Sequence, residues 1–185
     1  FFFIARSLKK THIPVLFICH NVIEHEGGHW RRLLIAHLFR SGNGFVVQSE
    51  IERQNLQRIF ASEYVRVHQH PAYTHIPVTA DSTIKRKDQT IRLLFFGLIR
   101  RYKGVDILLE AFNSVTRLDF HLTIVGEIWQ QRDEIELLIQ TNTHRDQISL
   151  IPRYVSEAEV ADYFSTSDAL LLPYRSATGS GVAAL

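Results

Sequence analysis

Apolar and polar positions alternate most sharply over Ile91 to Phe112, IRLLFFGLIRRYKGVDILLEAF. Ile91 and Leu93 to Phe96 form an apolar run long enough for one buried strand. Gly97 ends the run where the chain must turn. Arg100, Arg101 and Lys103 follow, then Gly104, then a helical pattern with Val105, Leu108, Leu109 and Phe112 on one face. The stretch predicts a strand, a basic turn and an amphipathic helix. Ligands of open parallel sheets sit at the carboxyl ends of strands, where helices begin. Cations and unpaired backbone N–H groups at such a place suit a phosphate. Taken alone, the stretch is equally well explained as a solvated basic loop.

The same pattern extends in both directions. Phe1 to Lys10 reads as the end of a helix with a basic last turn. Ile13 to Cys19 is an apolar strand, with Pro14 near its start where a missing N–H is tolerated, and His20-Asn21 ends it. Val22 to Gly28 is a loop. Trp30 to Phe39 is a helix with Leu33, Leu34, His37 and Leu38 at helical spacing. Phe45 to Val47 is a strand. Ser49 caps a helix reaching about Phe60, with Glu52 completing a capping box. Tyr64 to His68 is another strand. Pro77 to Thr90 is polar, aperiodic and the natural linker. Beyond it, strands are expected at 91–96, 119–125, 147–151 and 168–172. Helices are expected at about 104–116, 131–142, 156–166 and from 179 onward, with Ser156 and Glu159 forming a second capping box.

This alternation is that of parallel α/β sheets. It divides the chain into a domain at 1–76, a linker at 77–90 and a domain at 91–185, both doubly wound. There is no methionine, and Gly181 to Leu185 stops within what reads as the first turns of a helix. The expectation is therefore a piece of a longer protein, its first domain incomplete at the start and its second truncated at the end. A strand order of 3-2-1-4 in the second domain makes its first and fourth strands neighbours at the switch point. The basic loop then faces the Ser/Thr/Gly-rich turn Pro173 to Gly181, whose amides also suit an anion. A bland basic loop does not predict that partner, so a phosphate-bearing ligand becomes the favoured reading.

Composition changes the picture little. The chain is 45% hydrophobic and 22% charged, as ordinary soluble domains are. A single cysteine, Cys19, excludes an internal disulfide and fits a reducing, cytoplasmic compartment. Placed in an apolar strand, it reads as inert packing. No apolar stretch approaches the roughly 18 residues of a membrane span. The net charge of +2 conceals an asymmetry, with 12 Lys/Arg against 7 Asp/Glu in residues 1–90 and 9 against 12 in 91–185. A basic first half suits an anionic substrate or peripheral contact with a membrane surface, and is more often an ordinary solvated face. No dense basic patch with interleaved aromatics points to nucleic acid.

The segments FFGLIRRYKGVDILLEAF, IVGE and LLLPYRSATGSGVAAL resemble, in that order, the retaining GT-B glycosyltransferases of family four, which take sugars from nucleotide-sugar donors. PVLFICHNVIEHE and VVQSEIERQNL in the first half agree, so the resemblance covers nearly the whole chain. It implies two Rossmann-like domains, a nucleotide-diphosphate-sugar donor on the second, a carbohydrate or lipid-linked acceptor on the first, and no cofactor or bound metal. By resemblance Lys103 meets the donor diphosphate, with Arg100 supplying a guanidinium because Leu98 stands where the family usually has arginine. Ser180, Gly181 and Val182 complete the diphosphate site. Gly97, Gly126 and Glu127 lie beside the donor, and Arg153, Tyr154 and Val155 pack on its base. Tyr174, Thr178 and Gly179 belong to the donor loop. His20 matches the acceptor-side histidine and is the candidate catalytic residue. The family's Glu-x7-Glu motif is absent: its first position falls on Thr178 and its second one residue past Leu185.

Two other readings compete. His25-Glu-Gly-Gly-His29 is a literal HExxH, but zinc chemistry needs both histidines on one regular helix. Two adjacent glycines there cost about 2 kcal/mol relative to alanine. The second domain also fits a nucleotide-sugar-binding module without transfer activity, or the chain a GT-B epimerase that needs no acceptor.

Overall fold

In the computed structural model, residues 2–22, 29–69, 71, 90–116, 119–177 and 180–185 are described. They form two compact units, Phe1–Ala72 with Ala177–Ala184, and Tyr73–Ser176 with Leu185. The linker expected at 77–90 lies outside the described residues apart from Thr90, as do Thr178, Gly179 and His25 to Gly28 of the HExxH match.

In the first unit, α1 (Phe2–Lys10), β1 (Leu16–Cys19), α2 (His29–Phe39), β2 (Gly44–Val47), α3 (Glu50–Ile59) and β3 (Val65–Val67) follow one another. The strands pair in parallel in the order β1-β2-β3, with Cys19 opposite Val47 at the carboxyl end. Side chains on a strand alternate between faces. Cys19, Phe45, Val47 and Val65 therefore join Phe39 and Leu56 in one core. The ring of Phe17 stacks on Phe45 at 5.7 Å, and Phe39 meets Phe45 edge-on at 5.2 Å. On the opposite face Leu16 and Ile18 remain 62% and 65% exposed.

The second unit carries β4 (Ile91–Phe96), α4 (Val105–Phe112), β5 (Phe120–Val125), α5 (Arg132–Gln140), β6 (Ile148–Ile151), α6 (Glu157–Thr166) and β7 (Ala169–Leu170). All four strands are parallel, in the order β6-β5-β4-β7, which is the 3-2-1-4 order expected from the sequence. Here alternation sorts an apolar run onto two cores. Leu93 and Phe95 pack with Val105, Leu109, Leu122 and Ile135 under α4 and α5. Leu94 packs with Val125, Val155 and Val160 under α6. A strand apolar on both faces is covered by helices on both faces, which makes this unit doubly wound.

Four expectations are corrected. The helix expected from 104 to 116 is Val105–Phe112, preceded by a 3-10 turn at Arg101–Lys103. Gly104 separates them in the left-handed conformation, φ 70°. The strand expected at 168–172 is assigned only at Ala169–Leu170. Its ladder bonds run from Asp168 N–H to Leu171 N–H, and Pro173 has no N–H to continue them. The helix expected from 179 onward is, among the described residues, a 3-10 turn at Val182–Ala184. The capping box at Ser156 and Glu159 forms, but at Ser49 only half of it does, because the Glu52 carboxylate turns inward to the Val22 N–H.

Two contacts hold the loop after β7 against the start of α4. Gly104 lies so close to it that a Cβ would sit 2.1 Å from the Pro173 carbonyl oxygen. The Arg175 guanidinium grips the Asp106 carboxylate with two bonds of 2.7 Å and donates a third, of 2.8 Å, to the Arg101 carbonyl. Those bonds, the Ile107 amide and the guanidinium charge hold the Asp106 carboxyl below the usual aspartate range.

Gly104→Ala is expected to lower the thermal midpoint of the full-length protein, since a left-handed non-glycine residue alone costs about 1–3 kcal/mol and the clash adds to it. An unchanged midpoint would contradict the packing described. Asp106 gives a pH dependence of definite sign. A depressed folded pKa contributes stability above the unfolded value of about 4 and loses it as pH falls through the folded value. The stability gap between parent and Asp106→Asn should therefore be widest near neutrality and close on acidification. Denaturant melts at several pH values measure it, and a gap independent of pH would exclude the ion pair.

Candidate functional site

The carboxyl ends of β4, β5 and β6 open onto a cleft of about 370 Å³. Gly97, Gly126, Glu127, Arg153, Tyr154 and Val155 all line it. These six come from three separate stretches of sequence, each the first segment after a strand. Phe96 and Val160 add apolar surface to its wall. Leu98, where the resembling family usually has arginine, also faces it.

Backbone contacts hold the first two loops together. Gly97 N–H donates to Val125 and Gly126 N–H to Ile151, which extends the sheet by one step on each strand. Gly126 has a φ of 147°, and a Cβ there would meet the Gly97 carbonyl oxygen at 2.1 Å. Ile99 then bridges Ile128 in parallel, with Ile99 N–H donating to Glu127 and Trp129 N–H to Ile99. The Arg101 N–H donates to Gln130 Oε1 at 3.0 Å. Loops tied in this way have little freedom to rearrange around a ligand, which favours a preformed site.

The cations of these loops divide into two kinds. The Arg153 guanidinium pairs with Glu159 at 2.5 Å and donates to the Tyr154 carbonyl at 3.1 Å. That pairing, with the Ser156 amide and hydroxyl, pulls the Glu159 carboxyl down to about 2. Arg175 is likewise committed to Asp106. Arg100 and Lys103 have aromatic partners instead. The Arg100 guanidinium lies 4.6 Å from the centre of the Trp129 ring. Trp129 in turn donates its indole N–H to Glu127 Oε2 at 3.2 Å. Lys103 Nζ lies 5.0 Å from the centre of the Tyr174 ring and donates to its hydroxyl at 3.3 Å. Cation–π contacts attract a cation without neutralising it. Arg100 and Lys103 are thus positive charges of the basic loop held by rings, with no carboxylate partner among the described residues.

The expectation for Lys103 needs adjusting. It stands at the end of a 3-10 turn that Gly104 separates from the start of α4, and it is only 8% exposed. Its stem is packed, so truncation to alanine would remove packing together with charge.

The remaining expected residues are placed as follows. His20 directly follows β1 in the first unit and is exposed. Ser180, Gly181 and Val182 group with the first unit, so the second-unit cleft is described without them. Ser180 Oγ accepts the Ala183 N–H at 3.3 Å. Three features escaped the sequence reading: the Arg175–Asp106 grip, the Trp129 platform under Arg100 and the inward turn of Glu52. The first two had faint signals, namely an acidic residue in the first helical turn and a tryptophan just after Gly126-Glu127. Among the described residues no group of His, Cys, Asp and Glu is arranged to hold a metal ion, and no helix is long and apolar enough to cross a membrane.

The chain is 29% identical over 183 residues to a GDP-mannose:glycolipid 4-beta-D-mannosyltransferase of Xanthomonas campestris pv. campestris, covering 95% of this chain and 48% of that protein. It thus spans about half the length of the curated relatives it matches. Its fold is similar to that of Anabaena Alr3699/HepE, solved in complex with UDP and glucose, with a TM-score of 0.75 at 13% identity over 90% of this chain and 48% of that one. WaaG, a glycosyltransferase involved in lipopolysaccharide biosynthesis, gives a TM-score of 0.67 at 18% identity over 92% of this chain and 56% of that one. The fold class is thus the parallel α/β arrangement of GT-B glycosyltransferases. Residues 79–185, more than half the chain, match the family model for glycosyl transferases group 1, and the chain belongs to that family.

Proposed function

We propose that the protein containing this chain is a glycosyltransferase that moves a sugar from a nucleotide-diphosphate sugar to a carbohydrate or lipid-linked acceptor. The observation that carries the proposal is the convergence of Gly97, Gly126, Glu127, Arg153, Tyr154 and Val155 on one cleft, with Arg100 and Lys103 following in the loop after β4, held by aromatic rings and not by carboxylates. The nucleotide base packs on Arg153 to Val155, where Tyr154 is 80% exposed and offers a ring face. The diphosphate meets Arg100 and Lys103. Negative charge develops on the leaving diphosphate as the glycosidic bond breaks, and fixed cations at that point stabilise the transition state. Ser180, Gly181 and Val182, with Thr178, Gly179 and Tyr174, complete the donor site as the family resemblance implies. The acceptor engages the first unit, with His20 at the reacting side.

The relatives guide the choice of substrates. One is named for GDP-mannose and a glycolipid, another was crystallised with UDP and glucose. GDP-mannose and UDP-glucose are therefore the first donors to test, and a glycolipid the first acceptor. A lipid-linked acceptor also gives a use to the basic first half in a cytoplasmic protein peripheral to a membrane. Retention of anomeric configuration is the outcome implied by the sequence resemblance, whereas the Xanthomonas relatives are named for a beta linkage. Proton NMR of the first-formed product fixes the outcome.

A thermal-shift screen of nucleotide-sugars on the full-length protein, followed by a transfer assay with the stabilising donor, tests the function. Donor turnover that is independent of any acceptor would replace the proposal with an epimerase, and binding without turnover would replace it with a binding module. Lys103→Met keeps the packed stem and removes the charge. It should weaken donor binding by about 1.5–3 kcal/mol, the range for a hydrogen bond to a charged group, with little change in thermal midpoint. Donor affinity within error of the parent would displace the diphosphate from this loop. His20→Ala should lower turnover far more than donor affinity, and unchanged turnover would return His20 to an ordinary surface role.

A further inference from the structure

Glu52 is 1% exposed, more deeply buried than any other charged side chain among the described residues, and the proposed reaction does not use it. Its place in α3 is that of a capping-box glutamate, three residues after the Ser49 cap. In a complete box the carboxylate returns to the cap amide, as Glu159 does to Ser156. Around Ser49 only the hydroxyl plays its part, accepting the Glu52 N–H at 3.2 Å. The carboxylate instead points into the unit, where Oε2 accepts the Val22 N–H at 2.5 Å. Oε1 is buried with no hydrogen-bond partner in the described structure. Giving up an exposed cap for a buried, half-satisfied position is unfavourable for a carboxylate. Such a local conflict is expected where a residue serves the site more than the fold.

The location of that bond gives it meaning. The parallel ladder of β1 ends at Cys19, opposite Val47. His20 comes next and is exposed. Val22, only 2% exposed, returns the chain to the core two residues later. The carboxylate of Glu52 thus holds the far flank of the turn through the Val22 amide. Cys19, on the near flank, shares the buried cluster with Val22, and its thiol is pushed up to about 11 by burial and secondarily by the Glu52 charge. One side chain of α3 therefore grips the turn that carries His20, at its Val22 flank. A carboxylate accepting an amide N–H makes a shorter and stronger bond than a neutral acceptor does, which suits a residue that fixes backbone position.

We propose that Glu52 is a positioning residue for His20, its buried carboxylate fixing the Cys19–Val22 turn that presents the imidazole beyond the end of β1. The inference rests on the reading of His20 as the residue at the reacting side of the transfer. It assigns Glu52 no contact with donor or acceptor.

The test is a double-mutant cycle on the full-length enzyme, with turnover, donor affinity, thermal midpoint and the Val22 amide resonance as readouts. Glu52→Ala should lower kcat about tenfold or more while donor Kd stays within about twofold, since the effect is on the reacting geometry. In the His20→Ala background the same change should cost little further, about threefold at most, because residues acting as a unit are not additive. Glu52→Gln, which keeps the shape and one carbonyl acceptor, should recover part of kcat and shift the Val22 amide proton upfield as the acceptor loses its charge. If Glu52→Ala fails to fold, the cycle is run with Glu52→Gln. Equal losses with and without His20, a parallel loss of donor affinity, or kcat within about twofold of the parent would each overturn the positioning role. If His20→Ala leaves turnover unchanged, the assignment of His20 fails and the positioning role fails with it. The Val22 amide shift still reports separately whether the carboxylate grips the turn.

Discussion

Burial of β4 on both faces is the constraint from which the second unit follows. Leu93 and Phe95 point to one core and Leu94 to the other. At about 25 cal/mol per Å² of apolar surface removed from water, neither face of such a strand can be left open. Helices must therefore cover both faces, and parallel neighbours must be reached by crossovers through those helices. Every strand then ends at the same edge of the sheet. The loops after β4, β5 and β6 have no choice but to gather there, and their gathering makes the cleft. The site is a consequence of where the apolar residues are.

At that edge the backbone is fixed first and the side chains afterwards. The close approach of Gly126 to the Gly97 carbonyl and the Ile99–Ile128 bridge leave the two loops little independent motion. Gly104 performs a similar service against Pro173. Arg100 and Lys103 rise from this rigid base, each laid against an aromatic ring. Their geometry is set before a ligand arrives, which lowers the ordering cost of binding an anion.

Much of this was legible in the sequence because it depends on periodicity. The run Leu93 to Phe96 and the alternating βα spacing follow from burial, which is written in the apolar pattern, whereas the order 3-2-1-4 is an expectation from what is common in such sheets, and the structure has it. The six cleft residues are singled out by the family resemblance, and they share one cleft because each of their stretches follows a strand of the same parallel sheet. What was not legible depends on which of two local hydrogen bonds wins. Ser49-Glu-Ile-Glu and Ser156-Glu-Ala-Glu present the same polar atoms at the same spacing, with a glutamate at the third position after the cap in both. Glu159 caps its helix, while Glu52 is drawn inward by the Val22 amide, a partner 30 residues away. The Arg175–Asp106 grip is a contact of the same non-local kind, across 69 residues. The shortened β7 shows a different limit, since Pro173 has no N–H to continue the ladder.

The division among the cations follows from this distinction. Arg153 and Arg175 each have a carboxylate within hydrogen-bonding distance, so their charge is locally cancelled and they serve mainly as clips. Arg100 and Lys103 are held by the faces of Trp129 and Tyr174, which orient a cation while leaving its charge in place. Had those two positions been paired with Asp or Glu, an incoming diphosphate would need to displace a carboxylate before gaining anything. With aromatic partners it meets an uncompensated field, and the ring that oriented the cation need not be displaced. The choice of partner, more than the number of basic residues, is what would suit the turn after β4 to the diphosphate proposed above, whereas Arg153 and Arg175 are tied to carboxylates.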